Sequence, residues 1–211
     1  MKHRLYILIC LSFTLFSHLY ALEIGSLFIN APRTILPLLD KTSRMDLIDL
    51  YDSGLQAKVV NQYGGETVLL KKTKDFLSLQ TTKSGKWTIR LFSLNNGDSF
   101  ILCAHSVSAS GVSTDVQTYK TDWSKRKVHI PTPAQEEFVQ LPHSYIPMTQ
   151  QSLTASLKYL PVEVAVNDST QYLIYNLDTS GLTQEYLKEC KDWLIPVVYQ
   201  WNGAAFIKIK E

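Results

Sequence analysis

The stretch KWTIRLFSLNNGDSFILCAHSVSASGVSTDVQTYKTDW, residues 86–123, decides the fold. Residues 87–92 and 100–107 are dominated by β-branched and aromatic side chains, the composition of half-buried strands. Between them Asn95, Asn96, Gly97 and Asp98 supply a hairpin turn, because glycine reaches positive φ without a clash and Asn and Asp bond their own backbone. A polar loop then leads into a third strand that ends on Trp123.

Upstream, the same alternation runs back through residues 75–82, where Phe76, Ser78 and Gln80 oppose Leu77, Leu79 and Thr81. Residues 67–70 and 57–62 read as further strands, with Gly64-Gly65 and Ser84-Gly85 as turns. Residues 57–119 therefore predict an antiparallel meander of five or six strands. A helix is predicted over 44–53, opened by a capping box of Ser43 and Asp46 and stopped by Gly54. Its apolar side is Met45, Leu47, Ile48, Leu50 and Tyr51, and it is expected to cover one face of the sheet while the other stays wet. Residues 27–29 read as an edge strand or docking segment. Ile35, Leu38 and Leu39 suggest a helical turn broken by Pro37.

Downstream, Lys125, Arg126 and Lys127 precede Pro131, Pro133, Pro142 and Pro147, which predicts an extended connection with at most a short helix near 134–139. Beyond it, residues 152–159 suggest a short strand or helical turn, and 162–166 and 172–177 are strands around a turn at Asn167, Asp168 and Ser169. Leu182, Tyr186, Leu187, Cys190, Trp193 and Leu194 recur at helical spacing, so 183–193 is an amphipathic helix with Thr183 as N-cap. The closing VVYQWNGAAFIKIK carries Asn202-Gly203, a hairpin signal that as a two-residue loop would pair Trp201 with Ala204 and Tyr199 with Phe206. The fold class is α+β: an antiparallel meander sheet covered by an N-terminal helix (22–130), a proline-rich connection (131–151) and a smaller strand–helix–hairpin portion docked on the first (152–211).

The 211 residues are 45% hydrophobic and 19% charged, ordinary for a folded protein. The beginning is not ordinary. A basic start through Arg4, twelve uncharged apolar residues at 5–16 and a small-residue exit at Ala21 make a secretory signal peptide over 1–21. The apolar run is shorter than the roughly 20 residues a spanning helix needs, so no integral membrane anchor is expected. Cys10 follows Ile9 inside the run, which is not a lipid-anchor arrangement. Loss of Lys2 and Arg4 leaves 19 basic against 19 acidic residues of the original 21 and 19. A neutral exported chain gives no reason to expect nucleic acid. Cys103 and Cys190 would meet an oxidising compartment, where a disulfide would add a few kcal/mol; lying on apolar faces, they read instead as buried thiols.

Four stretches carry a resemblance: PLLDKTSRMDLIDLYDSG, VVNQYGGETVLLKKTKDFLSLQTTKSGKWTIRLFSL, DVQTYKTDW and VVYQWNGAAF. With Arg44-Met45-Asp46 opening the helix, Tyr119 and Trp123 ending the sheet and Trp201-Asn202-Gly203 at the last turn, the chain resembles a family of secreted Bacteroidota proteins known only as a domain of unknown function. The resemblance implies export in a Gram-negative bacterium and an α+β fold without evident catalysis. It supplies no catalytic residues.

Reactive constellations are few. Cys103 and His105 share a strand face, so a cysteine-based hydrolase of envelope polymers is one alternative; the opposing reading is a core thiol beside a packed histidine, with no third orienting group. Asp98, Asp115 and Asp122 at strand ends would serve a carboxylate mechanism or calcium, or simply form turns. His129 and His143 are scattered, and no metal-ligand spacing occurs. There is no GxGxxG, P-loop or GxSxG, so no cofactor is expected. Trp123, Lys125, Arg126 and Lys127 form a candidate partner surface for an anionic glycan. Asp168-Ser169-Thr170, in an exposed turn, looks like the short signal for O-glycosylation used by exported Bacteroidota proteins, with Ser169 the acceptor. The expectation is a non-catalytic periplasmic or envelope protein that binds a protein or glycan. A further alternative, a carrier of a small apolar ligand, would require an enclosed cavity of roughly 300 Å³ or more between sheet and helix.

Overall fold

The computed structural model describes residues 22–141, 155 and 157–209. The expected signal peptide, Cys10, Pro142, His143, Pro147 and half of the element expected at 152–159 lie outside them.

Six strands form one antiparallel meander in sequence order: β1 Lys58–Val60, β2 Glu66–Lys72, β3 Phe76–Gln80, β4 Gly85–Ser93, β5 Ser99–Ser108 and β6 Val112–Lys120. Four more make a second antiparallel sheet in the order β10-β9-β8-β7: β7 Val162–Val166, β8 Tyr172–Leu177, β9 Val197–Trp201 and β10 Phe206–Lys208. Helices α1 Ile24–Ile29 and α2 Lys41–Asp52 precede the first sheet, and α3 Gln184–Cys190 lies between β8 and β9. The fold is α+β, as expected.

The period of two along β3, β4 and β5 sorts the core into two halves. Leu77, Leu79, Ile89, Leu91, Ile101 and Cys103 face α1 and α2, where Ile24, Phe28, Leu39 and Leu47 close over them. Phe92, Phe100, Leu102 and Ala104 point the other way and pack on Val164, Leu173, Tyr175, Trp201 and Phe206 of the second sheet. The molecule therefore has three layers: helices, meander, second sheet. The expected wet face of the meander is buried over β4 and β5 by the C-terminal portion, which docks onto it.

Local readings differ where the period was short. Residues 27–29 are helical, not a strand: Ile24, Leu27 and Phe28 recur at helical spacing and are buried, and the Ile24 N–H donates to the Lys74 carbonyl. In α2 the cap is Asp40, whose carboxylate accepts the Ser43 N–H at 2.8 Å, one turn ahead of the expected capping box. Arg44, Leu47 and Ile48 face inward, while Met45, one residue or about 100° round the helix from Arg44, is 44% exposed. The strand expected to reach Trp123 stops at Lys120. A turn follows in which Trp123 takes φ +67, an unusual value for a side chain with a Cβ. It is held there because its ring is buried against Tyr119 at 5.7 Å and its Nε1–H donates to the Leu27 carbonyl at 3.0 Å.

The last hairpin has a different register from the expected one. Trp201 pairs with Phe206 and Tyr199 with Lys208, so the loop holds four residues. Asn202 explains the extra length: its side-chain oxygen accepts both the Ala204 and Ala205 N–H groups, and its own N–H donates to the Ala205 carbonyl. The aromatic pair is consequently Trp201–Phe206, centroids 5.0 Å apart.

Candidate functional site

Antiparallel registry fixes which side chains lie beside one another across the meander. The β4–β5 pairing sets Trp87 opposite His105, and the β5–β6 pairing sets His105 opposite Asp115. One step along, Ile89, Cys103 and Gln117 form the next row on the same face. Cys103 is 2% exposed and belongs to the helix-side core, while His105 is half-buried and Asp115 and Gln117 are exposed. The helical layer thus covers the Cys103 row only as far as β5 and leaves the Trp87–His105–Asp115 row partly open.

The open row is ordered by its own contacts. The Trp87 and His105 rings stack with centroids 4.5 Å apart and planes 18° from parallel. Gln117 Nε2 donates to Asp115 Oδ2 at 2.7 Å, and the Tyr119 hydroxyl donates to Gln117 Oε1 at 2.6 Å. Burial holds the His105 pKa below its ordinary value, and the nearby Asp115 carboxylate works in the opposite direction. Burial also pushes the Tyr119 phenol up.

Cys103 and His105 do share a strand face, as the spacing requires. Burial pushes the Cys103 thiol far above its ordinary value, so the thiolate a nucleophile needs is disfavoured. The imidazole is engaged by Trp87 instead. The three candidate acids are not brought together. Asp98 sits in the β4–β5 turn beside Asn96, and Asp122 sits past the end of β6, its carboxylate accepting from the Ser124 N–H and hydroxyl at 2.9 and 2.6 Å. Asp115 lies five residues before Lys120, roughly 17 Å along the strand. Among the described residues no group of three or more His, Cys, Asp or Glu is placed to hold a metal ion.

The basic segment has its own geometry. Trp123 is 6% exposed and belongs to the core, so it lies under this surface and not on it. Lys125 and Lys127 are exposed; Arg126 between them is half-buried, its guanidinium 6.0 Å from the Phe100 ring centroid. Ser169 is exposed in the β7–β8 turn, its hydroxyl donating to Asn167 Oδ1 at 3.0 Å. Cys103 and Cys190 are free thiols, packed in different clusters. A depression of about 410 Å³ between α2 and β1 is lined by Asp46, Asp49, Leu50, Ser53, Lys58 and Val59, a mixed acidic surface unlike an apolar ligand chamber. No helix among the described residues is long and apolar enough to cross a membrane.

Sequence reasoning passed over Trp87 and Gln117. Counting outward from the 95–98 turn would have found the first, since that turn fixes the β4–β5 register and with it the Trp87–His105 neighbour.

Compared with known proteins, residues 16–206 match the family model described as "Protein of unknown function (DUF3256)". The chain belongs to that family. No curated protein matches it. Among solved structures, this DUF3256 chain is similar to a domain of an uncharacterized protein from Porphyromonas gingivalis W83. That match has a TM-score of 0.73 at 22% identity, covering 90% of this chain and 100% of the other. The likeness is one of fold and carries no activity.

Proposed function

We propose that this DUF3256 protein is an exported envelope protein that works by binding, and that its ligand is a glycan held on the open part of the meander. The observation that carries this reading is the ordered row Trp87, His105 and Asp115 with Gln117 beside it. Its groups suit a polyhydroxylated chain: aromatic surface for C–H faces, a carboxylate acceptor and an amide that both donates and accepts. The side chains are fixed by one another on rigid strands, so little ordering cost is left for the binding step. Support against a cysteine mechanism comes from the buried, protonated Cys103 and from the stacking that occupies His105. Export rests on the layout of residues 1–21 alone.

Calorimetric titration of the mature protein with soluble peptidoglycan fragments and envelope oligosaccharides tests this. The exposed-residue variants Asp115→Asn and Gln117→Ala are expected to weaken binding about tenfold, about 1.4 kcal/mol, with an unchanged melting temperature. Turnover of the same fragments that disappears in Cys103→Ala would overturn the reading in favour of the hydrolase.

A further inference from the structure

The segment that follows β6 is extended and tied down on one side only. The Lys120 N–H donates to the Ser124 carbonyl, Tyr119 bridges to Lys125, and the Arg126 N–H donates to the Thr118 carbonyl at 3.0 Å. The Thr118 hydroxyl returns a bond to the Arg126 carbonyl at 2.5 Å. Along this backbone the side chains alternate. Arg126, Val128 and Ile130 turn toward the inter-sheet core, and Lys125, Lys127 and His129 turn to solvent.

The outward set follows every second residue, roughly 7 Å between neighbours for an extended backbone. The row carries two lysine cations, Lys125 and Lys127. Neither Lys125 nor Lys127 has an ion-pair partner among the described residues, and the adjacent Asp122 carboxylate is already taken by Ser124. Lys120, exposed across the turn, faces the Asp122 carboxylate, which offsets its charge. In a chain whose mature form is formally neutral, this concentration is local and not a consequence of overall basicity.

We infer that the Lys125–Lys127–His129 row is a docking strip for a linear acidic polysaccharide. Charge complementarity selects an anionic partner, and the shape of the strip selects its kind. A bilayer surface is normally engaged by cations together with a protruding apolar or aromatic group, and here Trp123, Val128 and Ile130 are all turned inward. An extended polymer with carboxylates spaced along it matches the two spaced lysines, with the His129 ring beside them, without needing insertion. The strip uses residues separate from the Trp87 row, and it stands or falls independently of the glycan reading above.

Binding of the mature protein to polygalacturonate, to neutral dextran and to phosphatidylglycerol vesicles of equal charge density is the test. The expected result is polygalacturonate binding that weakens with salt, absent for dextran, and reduced about tenfold in Lys125→Gln/Lys127→Gln. The control Lys83→Gln/Lys86→Gln, which removes two exposed lysines elsewhere, should bind as the parent does, and near-ultraviolet circular dichroism should be the same for all three proteins. Tighter binding to the vesicles, no binding to the polyuronate, or an equal loss in the control would each overturn the proposal. Loss of binding in Asp115→Asn instead would assign the polymer to the sheet face.

Discussion

At the scale of single residues, burial sets the chemistry of the site more than proximity does. Cys103 lies two positions from an imidazole, the pattern that invites a catalytic reading, yet desolvation outweighs any help a neighbouring base gives the thiolate. The same burial has a consequence for stability. A thiol whose folded pKa is raised stays protonated in the native state after it would ionise in the unfolded chain. Its contribution is complete below the unfolded value, near 8.5, and is lost as pH rises beyond it. The tyrosines Tyr119, Tyr175 and Tyr199 are shifted upward too, each mainly by burial, and act with the same sign at higher pH. Urea titrations from pH 7 to 10 should show constant stability to about pH 8.5 and then a decline. The Cys103 share approaches about 1.4 kcal/mol per pH unit, so Cys103→Ala should fall less steeply over the first unit above pH 8.5. Parallel pH profiles for the two proteins would show that Cys103 ionises as freely folded as unfolded.

At the scale of elements, two hairpin turns from different sheets interlock. The Asn95 N–H donates to the Gly203 carbonyl at 3.1 Å, and a Cβ on Gly203 would stand 1.9 Å from Asn95 Oδ1. Gly203 also has φ +93, so Gly203→Ala meets both backbone strain and a collision, whereas Gly64→Ala, at φ +78 with open space around it, meets strain alone. Gly64→Ala should cost about 1 kcal/mol and Gly203→Ala about 2 kcal/mol by urea denaturation. The surplus should vanish in an Asn95→Ala background, where the obstructing oxygen is gone; a surplus that survives would place the strain elsewhere. These turns also mark how far the sequence could be read. Strand existence followed from β-branched alternation, and β7, β8 and the Thr183 cap stand where the pattern put them. The hairpin length did not, because Asn202 bonding two successive N–H groups looks in sequence like the Asn-Gly of a two-residue loop. Nor did the start of α2, since Asp40 and Ser43 are both good caps and only the fold chooses. The Trp87 row stayed hidden for a related reason. A site spread over three strands is a property of register, and register depends on the turns between them.

At the scale of the whole molecule, the question is whether two sheets joined through a proline-rich segment behave as one unit. The sequence led to a C-terminal portion docked on the first but left the far face of the meander wet, since Phe92 on β4 and Phe100 and Leu102 on β5 do not name what covers them. In the structure Phe92, Phe100, Trp201 and Phe206 form one aromatic cluster with centroids 5.0–6.2 Å apart, and the Trp201 Nε1–H donates to the Ser93 carbonyl at 2.7 Å. Arg90 makes the other tie. It is 3% exposed, its Nη2 donating to Asp75 Oδ2 at 3.0 Å and its Nη1 to the Asn167 carbonyl in the β7–β8 turn. Its guanidinium also lies 6.0 and 5.8 Å from the Phe76 and Phe92 ring centroids. The Nε has no partner and Asp75 keeps contact with water, so much of the charge attraction is offset by desolvation. What Arg90 contributes is then largely packed volume. Arg90→Met, which keeps most of that volume, should cost about 1 kcal/mol, and Arg90→Ala about 3 kcal/mol. In both variants unfolding followed by tryptophan fluorescence, with Trp201 at the sheet interface and Trp123 under the helices, should coincide with unfolding followed by far-ultraviolet circular dichroism. Parting the sheets would expose the shared aromatic cluster, so the two are expected to unfold together even though the meander also has a helix-side core. Separate transitions would mean that the two sheets unfold independently, and a loss in Arg90→Met equal to that in Arg90→Ala would mean that charge and not volume is what Arg90 contributes.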